Sequence, residues 1–241
     1  MLPTPSLARG ASLYPYDGVA WSLLLEIAIN IVFAFTWRFW TIRNLLIALA
    51  ISGGLVVAAT LAHGDANFGW TWRNLPGGVA RVCFGFPMGV LIYRLFTLGR
   101  LPRGPGAAIV LLAGCVLLYW RPASVGLAVD ILGLLIGAPA IVALAVMREP
   151  STRGGRLAIS VGAASYAVYA LHLPLLEALR NAGLRDVLEP WSPLPGLAFL
   201  FVVVALALVA NAMFDAPARA WLVRWMLAAK RVVPAQPVRE P

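Results

Sequence analysis

Seven apolar runs, each close to the length of a bilayer-crossing helix, leave this chain little choice of fold. They run from about Val19 to Thr36, Leu45 to Ala62, Gly77 to Phe96, Ala107 to Trp120, Ser124 to Met147, Leu157 to Leu179 and Gly196 to Met213. In hydrocarbon every backbone N–H and C=O must be satisfied internally, so such runs read as α-helices. The expected fold is all-α: a polytopic transmembrane helical bundle of about seven spans. Composition agrees, because 61% of the 241 residues are hydrophobic and 12% charged, where a soluble domain has roughly half and a quarter. Residues 1–231 read as one membrane domain and 232–241 as a disordered cytoplasmic tail.

The net charge of +9 raises nucleic acid as a partner, but the basic residues are scattered over short connections rather than gathered on one face. Topology accounts for them better. Of the 19 Lys and Arg, thirteen fall on the side that holds the connections after spans one, three and five and the tail; six fall on the other. By the positive-inside rule the N-terminus is expected outside and the C-terminus in the cytoplasm, in a multi-pass protein of the cytoplasmic (inner) membrane. The tail segment from Arg219 to Arg231 interleaves basic and aromatic residues and reads as an interfacial helix. The N-terminus lacks the basic start and apolar centre of a signal peptide. Cys83 and Cys115 lie inside apolar runs and read as small packing residues, with no metal-ligand spacing.

Against this background the polar residues within spans stand out. Ser22, Glu26 and Asn30 recur every fourth residue, so a helix stacks them on one face beside Trp21. A carboxyl group in a bilayer costs a few kcal/mol on insertion scales and usually faces protein or a wet cavity. The stripe reads either as helix-packing glue or as a functional face. Arg81 in the third run reads either as a snorkelling edge residue or as a holder of a phosphate or carboxylate, including Glu26 or Asp130. In the sixth run Ser165, Tyr169 and His172 share a face, with Tyr166 beside them. His172 is a candidate proton handler, and Pro174 frees a backbone carbonyl as its prospective partner. Gly85 with Gly89, and Gly133 with Gly137, have the spacing that lets helices approach closely. Pro139 is expected to kink the fifth span. No phosphate-cradling loop, dinucleotide fingerprint, zinc motif or nucleophile elbow is present, and no metal is expected.

Four stretches, in order, resemble the acyltransferase 3 family of membrane-bound O-acyltransferases. Val19-Ala-Trp-Ser-Leu-Leu-Leu-Glu26 with Asn30 is similar to its W-S-L-x-x-E helix. Gly77 to Tyr93 resembles its glycine, arginine and F-x-x-G helix. Ser165 to Pro174 resembles its S-Y-x-x-Y-x-x-H-x-P helix, and Asp215-Ala-Pro217 stands where the family has Glu-x-Pro. The resemblance implies transfer of an acyl group, often acetyl, from cytoplasmic acyl-coenzyme A to a hydroxyl of a carbohydrate or other cell-envelope acceptor. It implies catalytic roles for Glu26 and His172, and substrate binding by Trp21, Ser22, Asn30, Arg81, Tyr166 and Tyr169. Family members generally have about ten spans, and the resemblance places their catalytic element, an arginine and, some ten residues later, a histidine, in the first. No such element precedes Trp21. The chain thus resembles the C-terminal portion of such an enzyme, with the N-terminal helices absent or supplied in trans. A transporter or flippase, or a non-catalytic membrane fragment or subunit, is the alternative.

Overall fold

The computed structural model describes residues 12–14, 17–101, 114, 126–146, 152–184 and 194–231. Among these every regular element is helical, apart from a single antiparallel bridge between Ser12 and Thr71. Helix α1 spans Ala20–Thr36, α2 Ile42–His63, α3 Leu75–Thr97 and α4 Gly126–Val146. Helix α5 spans Thr152–Asn181, α6 Leu194–Ala210 and α7 Ala216–Arg231. Local chemistry sets the ends. The Thr41 hydroxyl accepts the Asn44 N–H and caps α2 at its start. Gly64, at φ 90°, closes α2 in the left-handed conformation while its N–H bonds the Thr60 carbonyl.

Five helices are long and apolar enough to cross a membrane: α1 with its 3-10 extension to Phe39, α2, α3, α4, and α6 continued to Trp225. They match the first, second, third, fifth and seventh runs. The sixth run lies within the 30-residue α5. The fourth run lies outside the described residues but for Gly114, as do Cys115 and residues 232–241. The lipid-facing character is plain in side chains such as Phe35 and Phe201, left 84% and 73% exposed by the protein itself. In water such surface would drive association, whereas in a bilayer it is the solvated face.

The chain forms two compact units, residues 1–151 and 152–241. In the first, α3 is central and contacts α1, α2 and α4. Leu49 and Val56 of α2 meet Ala80 and Phe84 of α3, with Leu134 and Leu135 of α4 packed against them. Lipid tails are as apolar as leucine, so this core is held by close packing and dispersion rather than by release of water. Gly53 gives Phe84 its seat, with the ring at 3.4 Å from where a Cβ would stand. At the far end of α1, Phe33, Trp40 and Phe86 form an edge-to-face triangle with centroids 4.9–5.6 Å apart. In the second unit α5 packs along α6, burying Ala164, Val203 and Ala207.

At Gly85 and Gly89 a Cβ would meet nothing within 4 Å among the described residues. Gly133 and Gly137 bound a π turn, closed by the Ala138 N–H on the Gly133 carbonyl. Its cause is Pro139, which has no N–H and whose ring would strike the carbonyl four residues back; widening the turn relieves the clash. The same device recurs at Asn211–Asp215, where the Ala216 N–H bonds the Asn211 carbonyl just before Pro217. The tail helix is therefore continuous with the seventh span through a π turn, rather than a separate interfacial element.

Candidate functional site

The most tightly built part of the first unit is the connection between α2 and α3, residues 64–74. Phe68 and Gly69 lie directly on Gly77 and Gly78 at the start of α3. A Cβ at Gly77 would fall 2.6 Å from the Phe68 ring, and one at Gly78 would fall 2.8 Å from the Gly69 Cα. Gly69 itself has φ 116°, a conformation open to glycine, and the Trp21 indole closes over it. The Asn74 side-chain oxygen accepts the N–H groups of Gly69 and Thr71, at 3.0 and 2.9 Å. The Leu13 N–H donates to the Trp70 carbonyl, which ties the segment before α1 to the same loop. Tyr14 is buried there, and desolvation pushes its phenol above the ordinary value of about 10.

Arg81 and Asp130 meet at this loop. The Arg81 Nη1 donates to the carbonyls of Ala66 and Phe68, and its guanidinium stands 5.7 Å from the Phe68 ring centroid. The Asp130 carboxylate accepts the Ala66 N–H at 3.1 Å, so the two side chains grip one residue from both sides. Backbone groups in a buried loop need partners, and these in-span charges supply them. Arg81 is thus neither a snorkelling edge residue nor a partner of Glu26.

Along α1 the polar stripe turns back on its own helix. The Ser22 hydroxyl donates to the Val19 carbonyl at 2.9 Å, and the Asn30 amide to the Glu26 carbonyl at 2.8 Å. Glu26 and Asn30 are exposed, and Glu26 makes no ion pair among the described residues. Trp21 points to the other task, the Gly69–Gly78 crossing.

In the second unit α5 presents Tyr166, Tyr169 and His172, the two tyrosines exposed and the histidine half-buried. The His172 Nδ1 lies 2.7 Å from the Tyr169 carbonyl and 3.3 Å from that of Val168. The partner expected from Pro174, the freed Ala170 carbonyl, is not the one used. A carbonyl only accepts, so Nδ1 carries a proton, and in the neutral ring the lone pair is then on Nε2. The Tyr169 ring stands 5.7 Å from the imidazole, centroid to centroid. Ser165 bonds the Gly162 carbonyl. In that tautomer Nε2 is placed to accept a proton from a hydroxyl.

His63, Trp70 and Asn74 belong to the polar connection between the second and third apolar runs and carry no motif; the signals that mark it in the sequence are Gly64, Gly69 and the Gly77-Gly78 pair, which point to backbone in special conformations or close approach. Compared with known families, residues 3–210 match the model described as an acyltransferase domain. No curated protein and no solved structure matches the chain.

Proposed function

The chain belongs to the acyltransferase 3 family, and from that premise we propose that it moves an acyl group, acetyl in the first instance, from cytoplasmic acyl-coenzyme A to a hydroxyl of a sugar or related cell-envelope molecule. Acyl transfer is the family's chemistry, and the match over residues 3–210 carries the reading. The donor, the acceptor, residence in the cytoplasmic membrane and the residue roles are our extension of it.

His172 is the proton handler of this scheme. Its Nε2 takes the acceptor hydroxyl's proton as the oxygen attacks the thioester carbonyl. The C–S bond then breaks, and coenzyme A leaves as a thiolate that takes the proton back from the imidazolium. The Tyr169 carbonyl, on Nδ1–H, holds the ring in the useful tautomer. Tyr166 and Tyr169 offer hydroxyls to orient substrate along the same helix. The family resemblance also gives Trp21, Ser22 and Asn30 of α1 to substrate binding, and Arg81 acts through the loop it grips. Glu26 is exposed and makes no ion pair among the described residues, and its carboxylate is assigned to a basic group that a further helix, in cis or in trans, brings to that face.

The test is transfer of label from acetyl-coenzyme A, carried on the acetyl carbon, into the envelope fraction by membranes that contain the protein. Label appearing in the acceptor pool supports the reading, and label left in the donor pool with acceptor present overturns it. Glu26→Gln should sharply reduce transfer while leaving membrane insertion intact; transfer at the unmutated rate would remove Glu26 from the site.

A further inference from the structure

Beside the loop that Arg81 and Asp130 hold, the ends of α2 and α3 enclose a cavity of about 620 Å³. That is the size of a small-molecule site. Its walls include His63, Phe68, Trp70, Arg73, Asn74 and Gly77. None of these is used by the chemistry proposed above. We infer that this cavity binds a hydroxylated ring bearing an anionic group, such as an acidic sugar unit of the acceptor. The identification as acceptor rests on the acyl-transfer reading; the binding site does not.

Three observations carry it. The floor is rigid: Phe68 is 1% exposed, seated on Gly77, covered by Arg81 and held by its own carbonyl. A site that needs no ordering on binding keeps its interaction energy for the ligand. The rim carries donors. Arg73 makes no ion pair among the described residues, and a guanidinium matches the two oxygens of a carboxylate or phosphate. Asn74 uses its oxygen on the loop, which leaves its amide nitrogen as a donor in a residue that lines the cavity. His63 adds an imidazole, its side chain 42% exposed and 3.9 Å from Asp65, with its ring edge-on to Phe68. Finally, Trp70 is 41% exposed although its backbone is anchored by Leu13, so a flat apolar face stands ready at the cavity wall. An aromatic face for a ring, a fixed cation for an anion and amide donors for hydroxyls are together a sugar-acid site; a simple ion would leave the aromatic wall without a role.

The experiment is equilibrium binding to the full chain in phosphatidylcholine nanodiscs, without acyl donor, using glucuronate, glucose and inorganic phosphate as probes. Glucuronate should bind saturably and at least tenfold more tightly than glucose. Arg73→Gln should lose at least tenfold for glucuronate and little for glucose, while Trp70→Ala should weaken both. Arg38→Gln, beside Trp37 at the opposite end of α1, is the control and should bind as the unmutated chain does. Glucuronate binding that is absent, or unchanged in Arg73→Gln, overturns the inference. So does inorganic phosphate competing as well as glucuronate, which would mark a plain anion site. Loss of glucuronate binding when phosphatidylglycerol replaces part of the phosphatidylcholine would assign the cavity to a lipid headgroup and overturn it likewise. Because no donor is present, failed binding leaves the acyl-transfer reading standing, and failed transfer leaves the binding result intact.

Discussion

At Gly69 two requirements coincide: a backbone at φ 116° and a Trp21 ring 2.4 Å from where a Cβ would stand. Gly69→Ala should therefore lower stability by about 3 kcal/mol or more, from backbone strain plus overpacking, read as a fall in the thermal midpoint of tryptophan fluorescence in detergent. Gly54→Ala is the contrast. A Cβ there meets nothing within 4 Å, and alanine is the better helix former by about 1 kcal/mol, so the midpoint should hold or rise. At His172 the hydrogen bond from Nδ1 to the Tyr169 carbonyl fixes the tautomer of the neutral ring that has its lone pair on Nε2. His172→Gln should reduce acyl transfer by about 10²-fold or more, with α5 intact by circular dichroism, since general-base catalysis is worth about 10²–10⁴. Unchanged transfer would take His172 out of the reaction. Arg81 reads from the sequence as an edge residue, a holder of an anion or a partner of an in-span acid, and the fold adds its bonds to the Ala66 and Phe68 carbonyls.

The helices carry their own test in the π turns. A π turn is an α-helix with one extra residue, so removing one residue from Gly133–Gly137 should restore regular α-helix and keep the register on both sides. Deleting Ile136, which is exposed, should keep both flanking faces in register and lower the midpoint only by the restored Pro139 clash, about 3 kcal/mol. Deleting Leu55, equally exposed but in the regular α2, turns everything beyond it by about 100° and brings Val56 and Thr60 out of the interior; the midpoint should collapse. That both π turns precede Ala-Pro was legible only in part. Pro139 and Pro217 announced a disturbance, but Pro87 and Pro174 sit inside helices without a described π turn, so proline alone does not choose the remedy.

For the whole molecule, the exposed apolar side chains of α1, α4 and α6 require lipid, and the loop charges set which way round it is crossed. A phosphatase reporter placed after Arg231 should be inactive while a fluorescent protein there shines, the signature of a cytoplasmic end. The reverse pattern would invert the orientation. The two compact units divide the candidate chemistry between them: the α1 stripe and the clamped loop belong to residues 1–151, and the α5 face to residues 152–241.

For the five runs that match described membrane-length helices, helix identity and position came from the sequence alone, because the bilayer forces each long apolar run to satisfy its backbone locally, and length then sets the ends to within a few residues. The family was legible for a related reason, since its motifs are short and sit within single helices. What only the tertiary structure decided were the partners. Gly69 and Gly78, nine positions apart, meet under Trp21; Asp130 reaches Ala66 across 64 residues of chain; the cavity between α2 and α3 exists because Phe68 is pinned to Gly77. Such contacts depend on how helices stack and on which backbone groups a loop leaves open. Periodicity within one segment carries no record of either, so Arg81 and Asp130 could be seen as unusual in the sequence but given a task only by the fold.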